Sequence, residues 1–202
     1  MLKTIFKFTF LLSTHNLTIV KITILNGDPE TKETSFSLFV EELAQNFEKI
    51  HQVEAFRLST MKLQYCIGCW TCWWETPGVC THHDDAPDIF RSVVNADFLI
   101  FASPLIAGFP SAMLKKITDR LIVLFHPYII VKQSESHHRK RYARYPDFGL
   151  VLQKENETDD EDLLIVKDMY DRLAINFHAQ LRYMKLTDKD NPKEIAYESC
   201  HF

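Results

Sequence analysis

Cys66-Ile67-Gly68-Cys69-Trp70-Thr71-Cys72, with Cys80 following after seven more residues, gathers four of the chain's five cysteines into one fifteen-residue window. A disulfide-stapled fold spreads its cysteines to close long loops. A C-x2-C-x2-C run instead turns three thiolates toward one point, which is what a soft metal ion or an iron–sulfur cluster needs. Four thiolates also suit Zn²⁺, although this spacing sets three ligands closer together than most structural zinc sites prefer. Trp70, Trp73 and Trp74 add flat apolar walls to the same window. His82 and His83 are extra ligands or plain surface residues, and Asp84-Asp85 starts the next helix.

The elements that position this window follow from periodicity. Val20 to Leu25 is β-branched and apolar, and stops at Asn26-Gly27-Asp28-Pro29, as a strand ending in a turn does. Phe36, Phe39, Val40, Leu43, Phe47 and Ile50 recur at helical spacing, with Thr34 or Ser35 placed to cap them. Residues 53–59 form a weaker strand, the cysteine window a loop, and residues 86–94 a short helix with Pro87 in its first turn. Asp97 to Ala102 is apolar on both faces, as a buried parallel strand is. It runs into a Ser103-to-Gly108 loop and a helix over about 111–125. A long loop over 132–147, a strand over 148–152, a helix opened by a Thr158-Asp159-Asp160-Glu161 capping box and a strand over 181–186 complete the pattern. The helix buries Leu163, Val166, Tyr170, Leu173 and Phe177, and the tail is polar.

Strands alternating with helices give right-handed βαβ units and a parallel sheet covered on both faces. Five strands predict a flavodoxin-like three-layer α/β/α sandwich with a five-stranded parallel sheet over residues 19–202. In that fold the ligand sits at the carboxyl ends of the strands near the switch point. The loops after the first and third strands, and the cysteine loop after the second, therefore share one rim.

Several further pieces stand in a fixed order: Ile24-Leu25-Asn26-Gly27-Asp28-Pro29, Cys66-x-Gly68-Cys69-x-x-Cys72 with Cys80, Asp84-Asp85, Ala96-Asp97, Ser103-Pro104-Leu105 with Gly108, and Ser111-Ala112-x-Leu114-Lys115-Lys116 ending in Asp119-Arg120. With them the chain resembles the NADPH-dependent FMN reductase and iron–sulfur flavoprotein group of flavodoxin-like proteins over roughly residues 20–125. The resemblance implies FMN. The loop after the first strand would cradle the phosphate with Thr31, Lys32, Thr34 and Ser35 at a helix N-terminus. Ser103, Pro104, Leu105, Ile106, Ala107 and Gly108 would lie along the isoalloxazine. One departure is acidic: relatives commonly carry Ser after the first glycine, where this chain has Asp28, with Glu30 and Glu33 beyond. Those carboxylates either repel a phosphate, face solvent or, for Asp28, close a turn on its own backbone.

The resemblance also implies a [4Fe–4S] cluster on Cys66, Cys69, Cys72 and Cys80 beside the flavin, passing single electrons to it. The metal-free reading has the same loop shaping the flavin pocket. The implied function is an FMN oxidoreductase carrying electrons from NAD(P)H, or from a ferredoxin-like carrier, to a small acceptor. The alternative is an electron carrier or redox sensor without small-molecule turnover; a third reading is a relative that binds no flavin. No side chain stands out as a catalytic acid or base. Family members usually dimerise or form higher homo-oligomers, and Trp70, Trp73, Trp74 and Phe109 are candidate contacts.

The chain has 202 residues and a net charge of −4, which suits one domain and argues against a general nucleic-acid binder. His137-His138-Arg139-Lys140-Arg141-Tyr142 is a local basic run, either meeting the 2′-phosphate of NADPH or an acidic partner, or simply solvated. No apolar run reaches the roughly 18–20 residues of a membrane span. Residues 1–18 have a charged start and an apolar stretch, but Lys7 interrupts it and no small-x-small cleavage pattern follows. They read as an N-terminal extension or a misassigned start, and the expected location is cytoplasmic, where thiols stay reduced.

Overall fold

The structure, a computed structural model, describes residues 19–199; the expected extension over 1–18 lies outside them. The first strand, β1 (Lys21–Asn26), is buried along all but its first residue. Helix α1 (Ser35–Glu48) starts at Thr34, whose hydroxyl accepts from the Ser37 N–H while the Ser37 hydroxyl accepts from the Thr34 N–H, a reciprocal cap. Its buried stripe is Phe36, Val40, Leu43 and Phe47. Strand β2 (Gln52–Arg57) pairs with β1 in parallel, and a single 3-10 turn (Leu58–Thr60) leads into the cysteine loop. That loop contains one helical turn, α2 (Thr71–Trp74), and ends at α3 (Ala86–Asn95).

Strand β3 (Phe98–Ile106) lies on the other side of β1, so the strand order reverses there. Next come β4 (Phe109–Pro110), α4 (Ala112–Arg120), a 3-10 segment (Leu121–Leu124) and a separate hairpin of β5 (Phe125–Lys132) and β6 (Glu135–Lys140). The domain closes with β7 (Asp147–Gln153), α5 (Asp160–Asn176), β8 (Leu181–Leu186) and α6 (Pro192–Glu198). The main sheet runs β2-β1-β3-β7-β8, all parallel, with β4 as a short antiparallel addition to β3. This is the flavodoxin-like order, with five parallel strands as expected.

Both faces of the sheet are buried, and alternate residues of β3 supply both. Leu99 and Phe101 pack in one cluster with Ile89, Leu114, Ile117 and Val166 from α3, α4 and α5. Ile100 and Ala102 pack in the other with α1 and α6 residues such as Phe36, Phe47 and Ile195. That is why β3 reads as an unbroken apolar run. Each fully buried Phe or Leu here is worth about 1.5–3 kcal/mol of burial.

The structure differs from the sequence expectation at five places. Residues 103–106 continue β3 rather than forming a loop, and the chain reverses at Ala107-Gly108 with φ of 51° and 78°, a two-residue turn into β4. The expected loop over 132–147 is mostly the β5–β6 hairpin. Its turn at Gln133-Ser134 has φ of 53° and 64° without the Asn-Gly or Gly signal that usually marks such turns. The helix expected over 111–125 ends at Arg120 and tightens into 3-10 geometry. The α5 cap is one residue later than expected: Asp159 accepts from the N–H groups of Glu161 and Asp162, and Asp162 answers. Lastly, the polar tail holds α6, started by Asn191 with Pro192 in its first turn.

Candidate functional site

The carboxyl ends of β1, β3 and β7 surround an open cavity of about 290 Å³, walled by Asp28 and Thr34 on one side, Pro104 to Ile106 on another and Gln153 to Glu155 on the third. Ligand clefts run roughly 300–1,000 Å³, so this one lies at the small end of that range.

Its first wall is built by Asp28. The Asp28 N–H donates to Asn26 Oδ1, its carboxylate accepts from the Glu30 N–H at 3.0 Å, and the Thr34 hydroxyl donates to its other oxygen. Asp28 is only 2% exposed. Its charge is thus spent on folding the loop, which is the turn-closing alternative among the sequence readings. The loop is also held from behind: Ser59 donates to the Glu30 carbonyl at 2.9 Å, and Arg57 donates to the carbonyls of Glu30 and Lys32. At the helix start, the cap uses the N–H groups of Thr34 and Ser37 and leaves those of Ser35 and Phe36 without a hydrogen-bond partner among the described residues. Thr31, Lys32 and Ser35 stand beside the cavity on the loop and first turn rather than in its wall.

The second wall rests on a buried relay. Ser103 Oγ donates to the Pro104 carbonyl and accepts from the Ser111 N–H at 2.8 Å, while the Ser111 hydroxyl caps α4 at Leu114 and donates to the Gly27 carbonyl. Ser103 and Ser111 are fully buried, so Ser103 braces the wall instead of facing the cavity. Gly27 is required here, because a Cβ on it would lie 2.6 Å from that of Leu114. The Ala107 N–H is taken by the Glu155 carboxylate at 2.8 Å, which pins the turn to the third wall. Gly108 sits in the left-handed region with Asp162 against it, where a Cβ would come within 2.7 Å of a carboxylate oxygen.

The cysteine loop has a stem and a mouth. In the stem, Lys62 and Gln64 N–H groups donate to Asp85 and Asp84, and the Asp85 N–H returns to the Lys62 carbonyl. Arg120, from the end of α4, forks onto Asp84 at 2.5 and 3.0 Å and also donates to the Gln64 carbonyl and, at 3.4 Å, to the Cys80 sulfur. Trp73 anchors the loop: its indole N–H donates to the Ile122 carbonyl, and its ring lies 4.9 Å from that of His138. Trp70 and Trp74 stay exposed.

Cys66, Cys69, Cys72 and Cys80 line one cavity of about 350 Å³ with Trp73 and Arg120, and all four are free thiols. Burial pushes the Cys72 thiol up, and the neighbouring Cys80, Cys69 and Cys66 add to it, so all four sulfurs feel one another. Bonds from the Thr71 hydroxyl and N–H push exposed Cys69 down. No three His, Cys, Asp or Glu side chains among the described residues converge tightly enough for a single metal ion. His82 also lines this cavity, and its buried Nε2, like Arg120 Nε, has no hydrogen-bond partner among the described residues.

Three participants were not singled out from sequence: Arg57, Glu155 and the Arg120–Asp84 pair as a brace. The rule that ligands sit at strand ends points to the segment after β7, hence to Glu155. Nothing local marks Arg57, whose role depends on register with β1. Of the basic run, His137 is buried, Arg141 donates to the Phe125 carbonyl, and Arg139 and Lys140 face solvent from β6. Among the described residues, no helix is long and apolar enough to cross a membrane.

Known proteins resemble this chain in sequence and in fold. An iron–sulfur flavoprotein from Methanocaldococcus jannaschii is 29% identical over 103 residues, 50% of this chain and 50% of that protein. Another, from Archaeoglobus fulgidus, is 35% identical over 75 residues, 37% of this chain and 33% of that one. The chain thus spans about half or less of the length of these curated relatives. Among known structures, an FMN-dependent NADH-azoreductase from Bacillus anthracis in complex with FMN superposes with a TM-score of 0.58 at 13% identity, over 90% of this chain and 96% of that one. The NAD(P)H:quinone oxidoreductase from Methanothermobacter marburgensis gives 0.57 at 16% identity, over 91% and 96%. At such identities these two establish the shared fold alone. Residues 20–143 match the family model described as NADPH-dependent FMN reductase, and with more than half of its length matched the chain belongs to that family.

Proposed function

We propose that the protein is an FMN-dependent oxidoreductase that passes electrons from NAD(P)H, or from a carrier protein, through bound FMN to a small acceptor such as a quinone. The observation that carries this reading is the cavity where three strand ends meet beside a helix start with two N–H groups that have no partner among the described residues. Those of Ser35 and Phe36, with the positive end of α1 behind them, suit a phosphate. Thr31, Lys32 and the Ser35 hydroxyl are close enough in sequence to add donors, whereas the Thr34 hydroxyl is already committed to Asp28 and Ser37. Pro104, Leu105 and Ile106 offer an apolar ledge for a planar ring, and the Glu155–Ala107 bond keeps its tip in place. Ser103 acts through its brace on Ser111, and Gly108 through the turn. When bound, FMN supplies the redox chemistry, taking two electrons as hydride and releasing them singly or together. The chain binds it, orients it and shields one face.

The test is anaerobic mixing of the flavin-loaded protein with NADPH and with NADH while the flavin absorbance is followed. Bleaching by either supports the enzyme; an unchanged oxidised flavin with both refutes NAD(P)H as its donor, and an unchanged flavin with reduced ferredoxin as well refutes the oxidoreductase.

A second reading is favoured by the cysteine loop. Four free thiols on one cavity, with buried unpartnered nitrogens of His82 and Arg120 beside them, fit a [4Fe–4S] cluster by donor chemistry, and curated relatives are named iron–sulfur flavoproteins. On that reading the protein is an electron carrier, and reduction by a ferredoxin without nicotinamide reactivity distinguishes it. Iron and sulfide assays on anaerobically purified protein decide the cluster: about four of each per chain support it, and none in folded protein removes it. A homodimer closing the flavin site over exposed Trp70, Trp74 and Phe109, and a cytoplasmic location, belong to the same proposal.

A further inference from the structure

The loop that faces the proposed phosphate is poor in positive charge. Between Gly27 and Ser35 it carries Asp28, Glu30 and Glu33 against Lys32 alone. Asp28, in the cavity wall, has both carboxylate oxygens committed to the Glu30 N–H and the Thr34 hydroxyl, which satisfies that charge locally but adds no cation. The positive charge next to this loop comes from another strand. Arg57, the last residue of β2, reaches across the sheet edge and donates through one terminal nitrogen to the carbonyls of Glu30, at 3.3 Å, and Lys32. Ser59 takes the Glu30 carbonyl a second time.

This has a stereochemical consequence. In a trans peptide the carbonyl and the following N–H point in opposite directions. There are no cis peptides among the described residues. Carbonyls of Glu30 and Lys32 drawn toward Arg57 therefore turn the N–H groups of Thr31 and Glu33 away from it. The loop's donors are set by a residue that no anion need touch. The same guanidinium stands 3.9 Å from the Glu41 carboxylate, its ion-pair partner on α1.

Resting on the FMN reading, we infer that Arg57 is a positioning residue for the phosphate end of the flavin: it holds the Glu30–Lys32 carbonyls so that the loop presents amide donors, and it brings a second cation to a loop whose own is Lys32. Ser59 assists at Glu30. The role concerns the phosphate and not the ring, because the residues of the ring ledge, Pro104 to Ile106, lie on β3 and have no bond to Arg57.

The experiment compares FMN with riboflavin, which lacks the phosphate, by quenching of flavin fluorescence on binding to the full chain. Arg57→Met is expected to weaken FMN at least about tenfold, the scale of losing hydrogen bonds to a charged donor, while riboflavin changes less than threefold. Ser59→Ala is expected to weaken FMN in the same direction by a smaller factor. Equal weakening of both flavins, or unchanged FMN affinity in Arg57→Met, overturns the inference: the first marks a general structural role and the second no role. If the wild-type chain binds neither flavin, the FMN reading itself fails and the inference with it. Thermal unfolding of both variants, expected within a few degrees of wild type for a residue at the end of an edge strand, separates lost folding from lost positioning.

Discussion

Replacing Arg120 with Met should destabilise the fold far more than replacing both members of its ion pair. The Arg120 and Asp84 side chains are 1% and 2% exposed, and the guanidinium forks onto the carboxylate while also holding the Gln64 carbonyl and the Cys80 sulfur. Removing one partner of a buried pair strands the other charge, at a cost of about 3–5 kcal/mol. Asp84 keeps the N–H groups of Gln64 and Ala86, which places the expected loss near 3 kcal/mol. With a urea dependence of about 2 kcal/mol per molar, the unfolding midpoint should fall by about 1.5 M. In the double variant Arg120→Met/Asp84→Asn no charge is stranded, so most of that loss should return. Acid supplies an independent check. Burial, the largest influence on Asp84, raises its pKa, but the bonds from Arg120, Gln64 and Ala86 outweigh it and hold the carboxyl below its usual range. A depressed carboxyl contributes stability above its unfolded pKa, near 4, and loses it as pH falls through the lower folded value. The gap between wild type and Arg120→Met should therefore narrow below about pH 4. A midpoint shift under 0.3 M (roughly a fifth of that expected) would refute the reasoning, as would a double variant no more stable than the single one.

Three other perturbations have expected outcomes. Gly27→Ala drives a Cβ to within 2.6 Å of Leu114 and should cost about 1–3 kcal/mol in urea unfolding; a neutral result would mean α4 shifts freely. Asp28→Ala should loosen FMN binding in a fluorescence titration, because the carboxylate folds the loop; tighter binding would show that its charge repels the phosphate after all. His51, His138 and His178 all have pKa values lowered, chiefly by burial, so their neutral forms stabilise the fold above about pH 6.5 and that contribution is lost as pH falls below it. The thermal midpoint should drop between pH 7.5 and 5.5 (a range bracketing the histidine titration), and a flat profile would contradict these burials.

The sheet was legible because its strands are short apolar runs and its helices carry capped apolar stripes, as at Thr34 with Phe36 and Val40. The three rim loops followed from strand ends. What was not legible depends on conformation without a residue signal. Gln133 and Ser134 adopt positive φ with no glycine, so the β5–β6 hairpin looked like a loop, and β3 runs past Pro104 because the β7 strand beside it supplies pairing to Gln153. Site roles moved for a similar reason. Ser103 was placed along the flavin by the resemblance, and its hydroxyl is committed to Pro104 and Ser111; of the three readings open for Asp28, its three local bonds match the turn-closing one. The cysteine spacing predicted three thiolates turned toward one point; all four thiols line one cavity, but among the described residues no three converge tightly enough for a single metal ion.

Amide hydrogen–deuterium exchange with and without FMN tests the proposed flavin site most directly. Slower exchange confined to residues 28–36, 104–108 and 153–155 is the predicted result. Protection centred instead on residues 66–80, or none anywhere at saturating FMN, would contradict it.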